Sequence, residues 1–241
     1  MRTALSRLLG LAALAGAAVC APHAHAGPWA REDGAVFLTL SQQGDAAGES
    51  WTGLWAEYGL TPRITLGIDA GVSGRGDGKF ILWGQKAWVR GEHRFAASAG
   101  IGASFIGEEV MPLAQLGGGW GRGLSTRFGA GWVAAEARAI VTARNVTFTQ
   151  QLNSQALATY VYMLPETSAK AELTLGLRPR DRLMLISQVQ LEQGRDTGLD
   201  MRLANSVVYS LRDPAKLEVG LITPISGEAE PAVKLGLWLE F

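Results

Sequence analysis

Beyond its first 26 residues this 241-residue chain keeps a single histidine, His93, and an imidazole is the commonest general base. His93 falls in the short break Gly91-Glu92-His93 and reads as a solvated turn residue. The one cysteine, Cys20, lies in the first segment with His23 and His25, so the remainder offers no thiolate or paired imidazoles for a zinc or iron–sulfur site. Glu136 and Arg138 share one face of an alternating segment near 127–141, where they would form a charge pair or part of a selectivity constriction. The acids Asp45, Glu49, Asp77, Glu108, Glu109 and Asp196 sit in breaks between apolar segments; they suit divalent cations, although surface charge explains them more simply. Arg75-Gly76-Asp77 matches a cell-adhesion tripeptide but also has the composition of a tight turn. The run from Gly117 to Gly123 lacks the GxGxxG spacing and the following helix of a phosphate cradle. Glycines that let a strand bend, or that receive a bulky inward side chain such as Trp132, account for it better.

The first segment reads as a targeting signal. Arg2 and Arg7 precede fourteen apolar or small residues, Leu8 to Ala21, and Ala24-His25-Ala26 is a small-x-small cleavage pattern. As a helix that stretch spans only about 21 Å, against roughly 30 Å of hydrocarbon, so a retained transmembrane anchor is the weaker reading. The expected organisation is a cleaved signal peptide, 1–26, and one domain, 27–241, starting at Gly27. Cleavage removes two arginines and no acid, leaving a formal charge of −2 with no basic block, which gives no footprint for nucleic acid. It also leaves no disulfide, so stability must come from another source.

After residue 27 the hydrophobic rhythm has period two. Leu54, Ala56, Tyr58 and Leu60 oppose Gly53, Trp55, Glu57 and Gly59; Ile64, Leu66, Ile68, Ala70 and Val72 oppose Thr65, Gly67, Asp69, Gly71 and Ser73. The pattern recurs over 95–105, 169–177, 217–221 and 233–241. Alternation this sustained predicts strands with one apolar face each. Tight breaks at Thr61-Pro62, Gly91-Glu92-His93, Gly121 to Ser125, Pro179-Arg180-Asp181 and Arg212-Asp213-Pro214 alternate with longer ones at 43–49, 74–79, 106–111, about 142–166, 193–198 and 224–230. The segments between them predict about twelve strands, within a range of ten to fourteen, mostly of 9–12 residues. Within 142–166, the stretch Leu152 to Met163 fits either a further hairpin or a short helix.

Alternation alone does not distinguish a soluble barrel from a transmembrane one. Here the faces opposite the apolar ones carry Gly, Ser, Thr and charges of both signs, which suit the lumen of a closed barrel. Trp51, Tyr58, Trp88, Phe95, Phe105, Trp120, Phe128, Tyr209 and Phe241 lie near predicted strand ends, where a bilayer places aromatic girdles. An open sheet edge in hydrocarbon would leave backbone groups unpaired, so the sheet must close. The fold class expected is all-β: a closed antiparallel transmembrane barrel with short periplasmic turns and longer extracellular loops. Its candidate lumen-lining residues are Trp55, Glu57, Asp69, Trp132, Glu136, Arg138, Lys170, Glu172, Gln188 and Gln190.

The leader, the hairpin Trp55–Gly67 (WAEYGLTPRITLG), the segment Glu172–Leu183 (ELTLGLRPRDRL) and the end Lys234–Phe241 (KLGLWLEF) resemble Gram-negative outer-membrane β-barrel proteins. Within that group the phrase Tyr58–Gly67 resembles channel proteins associated with meta-pathway phenol degradation. The resemblance implies an outer-membrane location and a passive channel for small solutes, apolar or aromatic ones by analogy. A filled barrel whose outer loops bind lipopolysaccharide or another surface is the alternative. It implies outer-membrane lipid and lipopolysaccharide as surroundings, and the barrel-assembly machinery as reader of the strand ending in Phe241. Enzymes among such barrels use a histidine near the outer rim, whereas His93 is expected at the periplasmic end; the expectation is a non-enzyme without cofactor or metal. The matching positions are turns and lipid-facing strands, so no functional residue is carried over.

Overall fold

The computed structural model describes residues 27–151, 157–194, 198–227 and 230–241. The leader, its cleavage point and Asp196 lie outside them. Twelve strands follow one another: β1 Val36–Asp45, β2 Ser50–Thr61, β3 Ile64–Ser73, β4 Gly78–Arg90, β5 His93–Ile106, β6 Glu109–Thr126, β7 Gly129–Gln151, β8 Leu157–Arg180, β9 Leu183–Gln193, β10 Leu199–Arg212, β11 Ala215–Ser226 and β12 Ala232–Glu240. Each pairs antiparallel with its sequence neighbours, and β1 pairs with β12 to close the barrel. Phe241 completes that seam through its backbone: its N–H donates to the Val36 carbonyl at 2.9 Å, and its carbonyl accepts from the Val36 N–H at 3.0 Å. No sheet edge is left along the barrel wall, which is what a hydrocarbon surrounding demands.

The connections differ between the two ends. At the base, where Val36 and Phe241 lie, the turns are residue pairs such as 91–92 and 181–182; at the rim the chain crosses over longer stretches such as 46–49 and 74–77. Three details depart from the sequence reading. Residues 121–125 are not a turn but the interior of β6, which turns only at 127–128. The break at 106–111 shrinks to residues 107–108. Residues 142–151 and 157–166 are strand, not loop, helix or a further hairpin, because β7 and β8 run on in register as far as Gln151 opposite Leu157; the start of the Leu152–Met163 stretch, 152–156, lies outside the described residues. The pairing of β6 with β7 stops at Thr142 and that of β8 with β9 at Ala169, so the described part of the β7–β8 tip is a two-stranded ribbon standing beyond the wall.

The alternation sorts side chains between two surfaces. Leu40, Leu82, Ile101, Leu116, Leu175 and Val219 point outward and are exposed, as are many other large apolar residues around the barrel. An apolar exterior on this scale is far larger than the patches soluble monomers show, and matches a bilayer-embedded wall. At the base, Trp88 stacks on Phe95 with centroids 6.1 Å apart, and Trp120 Nε1 donates to His93 Nδ1 at 3.0 Å. His93 is thus a half-buried acceptor within an outward aromatic patch, not a solvated turn residue. Trp51 also departs from expectation. It turns inward and lies on Gly71, leaving the girdle to the other aromatics.

Candidate functional site

The inward faces enclose a cavity of about 370 Å³. Trp55, Glu57, Asp69, Trp132, Glu136, Arg138, Glu172, Gln188 and Gln190 border it. Lys170 does not: it pairs with Glu192 at 2.8 Å, one step nearer the rim, in register with Arg138. Bulky inward rings fit because glycines on neighbouring strands receive them. Trp83 lies on Gly67, and Trp132 on Gly176, where a Cβ would collide with the indole.

The lumen is not uniformly polar. Toward the base Trp132, Ala134, Met184, Ile186 and Val208 form an apolar cluster against which Trp29 and Trp238 pack. Toward the rim Ile81, Trp83 and Leu113 form a second, joined by Trp55 and Ile140. Trp55 and Trp83 contact each other with centroids 4.9 Å apart. A belt of charge runs among these clusters. Arg31 pairs with Glu57, Lys79 with Asp69 at 2.5 Å, Arg138 with Glu172 at 3.2 Å, and Lys234 with Glu218 at 3.0 Å; Lys216 meets Glu240 at 2.5 Å nearer the base. Glu218 also accepts from Trp238 Nε1 at 2.9 Å, and Gln188 donates to Thr174 Oγ1 at 3.0 Å. Each of these enclosed charges has an oppositely charged, hydrogen-bonded neighbour, which offsets the cost of its burial.

The segment 27–35 is the main feature that sequence reasoning missed. It does not hang from the barrel but folds into the lumen from the base, as an arm. Pro28 is fully buried and lies against the inward position of Gly119, 3.3 Å from where a Cβ would be. Trp29 fills the space over Gly121. Gln85 donates to the carbonyls of Gly27 and Trp29 at 3.3 and 3.4 Å. The Arg31 N–H donates to Thr65 Oγ1 at 2.9 Å, and its guanidinium packs 4.2 Å from the Phe37 ring centroid while pairing with Glu57. Only 6% of the Arg31 surface is exposed. The glycine run of β6 therefore receives Pro28 and Trp29 rather than Trp132. The available signal was that Gly117, Gly119 and Gly121 all fall on the inward face of one strand.

Rim residues singled out in the sequence are held by neighbouring turns and strands. Arg75 pairs with Glu49, Asp77 accepts from the Gly107 N–H at 3.0 Å, and Glu109 lies 3.8 Å from Arg144. Gly76 has φ +92°, so the adhesion-like tripeptide forms a strained-for-others glycine turn.

No family model matches the sequence, and no curated protein does. Solved structures do match in fold. A KdgM porin in complex with disordered oligogalacturonate aligns with TM-score 0.60 and 7% identity, over 86% of this chain and 99% of that one. The COG4313 outer-membrane channel from Pseudomonas putida F1 aligns with TM-score 0.58 and 12% identity, over 89% of this chain and 98% of that one. The NanC porin gives TM-score 0.55 and 9% identity, over 86% of this chain and 100% of that one. These likenesses define the class: a porin-like, closed, twelve-stranded antiparallel β-barrel.

Proposed function

We propose that this barrel lies in the bacterial outer membrane, base toward the periplasm, and is a narrow passive channel for small solutes whose periplasmic end is restricted by its own N-terminal arm. The observation that carries the reading is the cavity of about 370 Å³, ringed by ion-paired side chains, inside a wall whose outer surface is apolar. Buried charge of this density is costly in a merely structural core, whereas a hydrated path puts it to use. Apolar or aromatic solutes would find surfaces at the Trp55–Trp83 contact and at Trp132; the charged belt favours solutes that also carry a polar group. Lipopolysaccharide around the rim and the barrel-assembly machinery at the strand ending in Phe241 belong to the same reading. The test is single-channel recording from refolded 27–241 in a planar bilayer. Small, salt-proportional steps are expected; silence from protein shown to be inserted would overturn the reading.

A second reading has its own observation. The ribbon beyond the wall exposes Phe148, Tyr160, Val161, Tyr162 and Met163, on both of its faces. A filled barrel that presents this ribbon to lipopolysaccharide or another surface would also explain the arm. Deleting 145–163 would then abolish binding to lipopolysaccharide vesicles and leave conductance unchanged.

A further inference from the structure

Six carboxylates border the central cavity: Glu57, Asp69, Glu136, Glu172, Glu218 and Glu240. Five have a bonded cation, and among the described residues Glu136 has none. Its position makes this costly. Glu136 stands directly opposite Glu172 in the β7–β8 register, so two like charges face each other across one pairing step. The other charged groups around it are Arg138, two residues along its own strand and hydrogen-bonded to Glu172, and Glu57 from β2, already held by Arg31. Two carboxylates thus share one guanidinium, and the site lacks a positive charge.

The head of the arm lies at that place. A Cβ built on Gly27 would sit 3.2 Å from Glu136 Oε2 and 3.3 Å from its carboxyl carbon. The Gly27 nitrogen is bonded to the same Cα. We propose that processing supplies the missing cation: the α-ammonium of Gly27 is the counter-ion of Glu136, and it fastens the arm inside the lumen. Hydrolysis of the Ala26–Gly27 peptide bond by a signal peptidase adds one water, leaving a carboxylate on Ala26 and an ammonium on Gly27. Before that step the nitrogen is a neutral amide with one proton to donate; afterwards it carries a charge and three. The rest of the arm is shaped to hold it there. Gln85 grips the Gly27 carbonyl, Pro28 is buried, and a Cβ at position 27 would press tightly on the carboxylate. The inference concerns maturation and holds whether or not the lumen conducts.

The test starts from protein expressed with its leader and extracted from membranes. Intact mass is expected to place the first residue at Gly27; any other start overturns the proposal. Competitive acetylation across pH then reports on the α-amine. In the wild type it is expected to react at least ten-fold more slowly than in Glu136→Gln, with a midpoint above the ordinary α-amino range of about 7.7–8.0. In Glu136→Gln the midpoint is expected to fall back to that range, and in Glu172→Gln to stay high. An equal rate and midpoint in the wild type and Glu136→Gln would overturn the proposal. A refolded chain with one extra alanine before Gly27 gives a check that leaves Glu136 untouched. Its displaced α-amine is expected to be as reactive as that of Glu136→Gln, and protection equal to the wild type would overturn the proposal.

Discussion

Two stretches of the inner wall solve the same electrostatic problem differently. On β2–β4 the acids are neutralised by cations positioned around them: Asp69 by Lys79 of the adjacent strand, and Glu57 by Arg31 of the arm, with Trp55 Nε1 donating to Glu57 at 2.8 Å. On β7–β8 the facing acids Glu136 and Glu172 have one guanidinium between them. The first wall grips the arm by its middle, at a residue whose charge is genetically fixed. The second meets the arm at its head, where charge depends on processing. The difference suggests that arm and barrel are one electrostatic unit, with the plug making up what the strands omit.

The largest effect should come from removing the arm. A chain lacking 27–34 is expected to conduct several-fold more than 27–241, because Pro28 and Trp29 leave the β6 glycines and the base-side cluster opens. Next is Arg31→Ala, which strands Glu57 in a buried site; losing one partner of a buried pair costs about 3–5 kcal/mol. The variant should show a lowered urea midpoint and an arm that proteases cut readily. Lys79→Ala is its counterpart on the same wall. It leaves Asp69, as buried as Glu57, without its cation, so the loss should be of the same order by the same urea titration.

The paired substitution Glu136→Gln with Glu172→Gln should shift the reversal potential in a salt gradient toward anions. An unchanged potential would place those side chains off the ion path. Smallest in reach are the glycine seats, Gly67 under Trp83 and Gly176 under Trp132, one on each wall. Alanine at either should cost about 1–3 kcal/mol through overpacking, and similar urea midpoints for the two would show the device to be equivalent on both walls.

Much of the architecture was legible because a barrel wall imposes the simplest of patterns. Strands such as Ile64–Ser73 and Ala232–Glu240 have one face against an apolar medium and one against the lumen, and the period-two alternation records both. Legibility failed where that condition fails. The tip of β7–β8 has solvent on both faces, so Thr142–Gln151 carries no apolar–polar contrast and resembles a loop. The β6 glycines look like punctuation in one dimension; only closure of the sheet shows that they border a space another segment fills. The arm itself has no period, since over Gly27–Arg31 it is held by scattered contacts to β2, β3, β4, β6 and β7 rather than by a ladder. Glu57, Asp69, Glu136, Arg138 and Glu172 could be assigned to the inner face from parity alone. The partners Arg31 of Glu57 and Lys79 of Asp69 required knowledge of register and of the arm.

The central claim is that a conductive lumen is held in a restricted state by residues 27–34. Paired single-channel recordings of 27–241 and 35–241, refolded identically and inserted into planar bilayers, test it directly. The account predicts small salt-proportional steps from the first and steps several-fold larger from the second. Equal conductance in the two, or silence from both with insertion demonstrated, would contradict it.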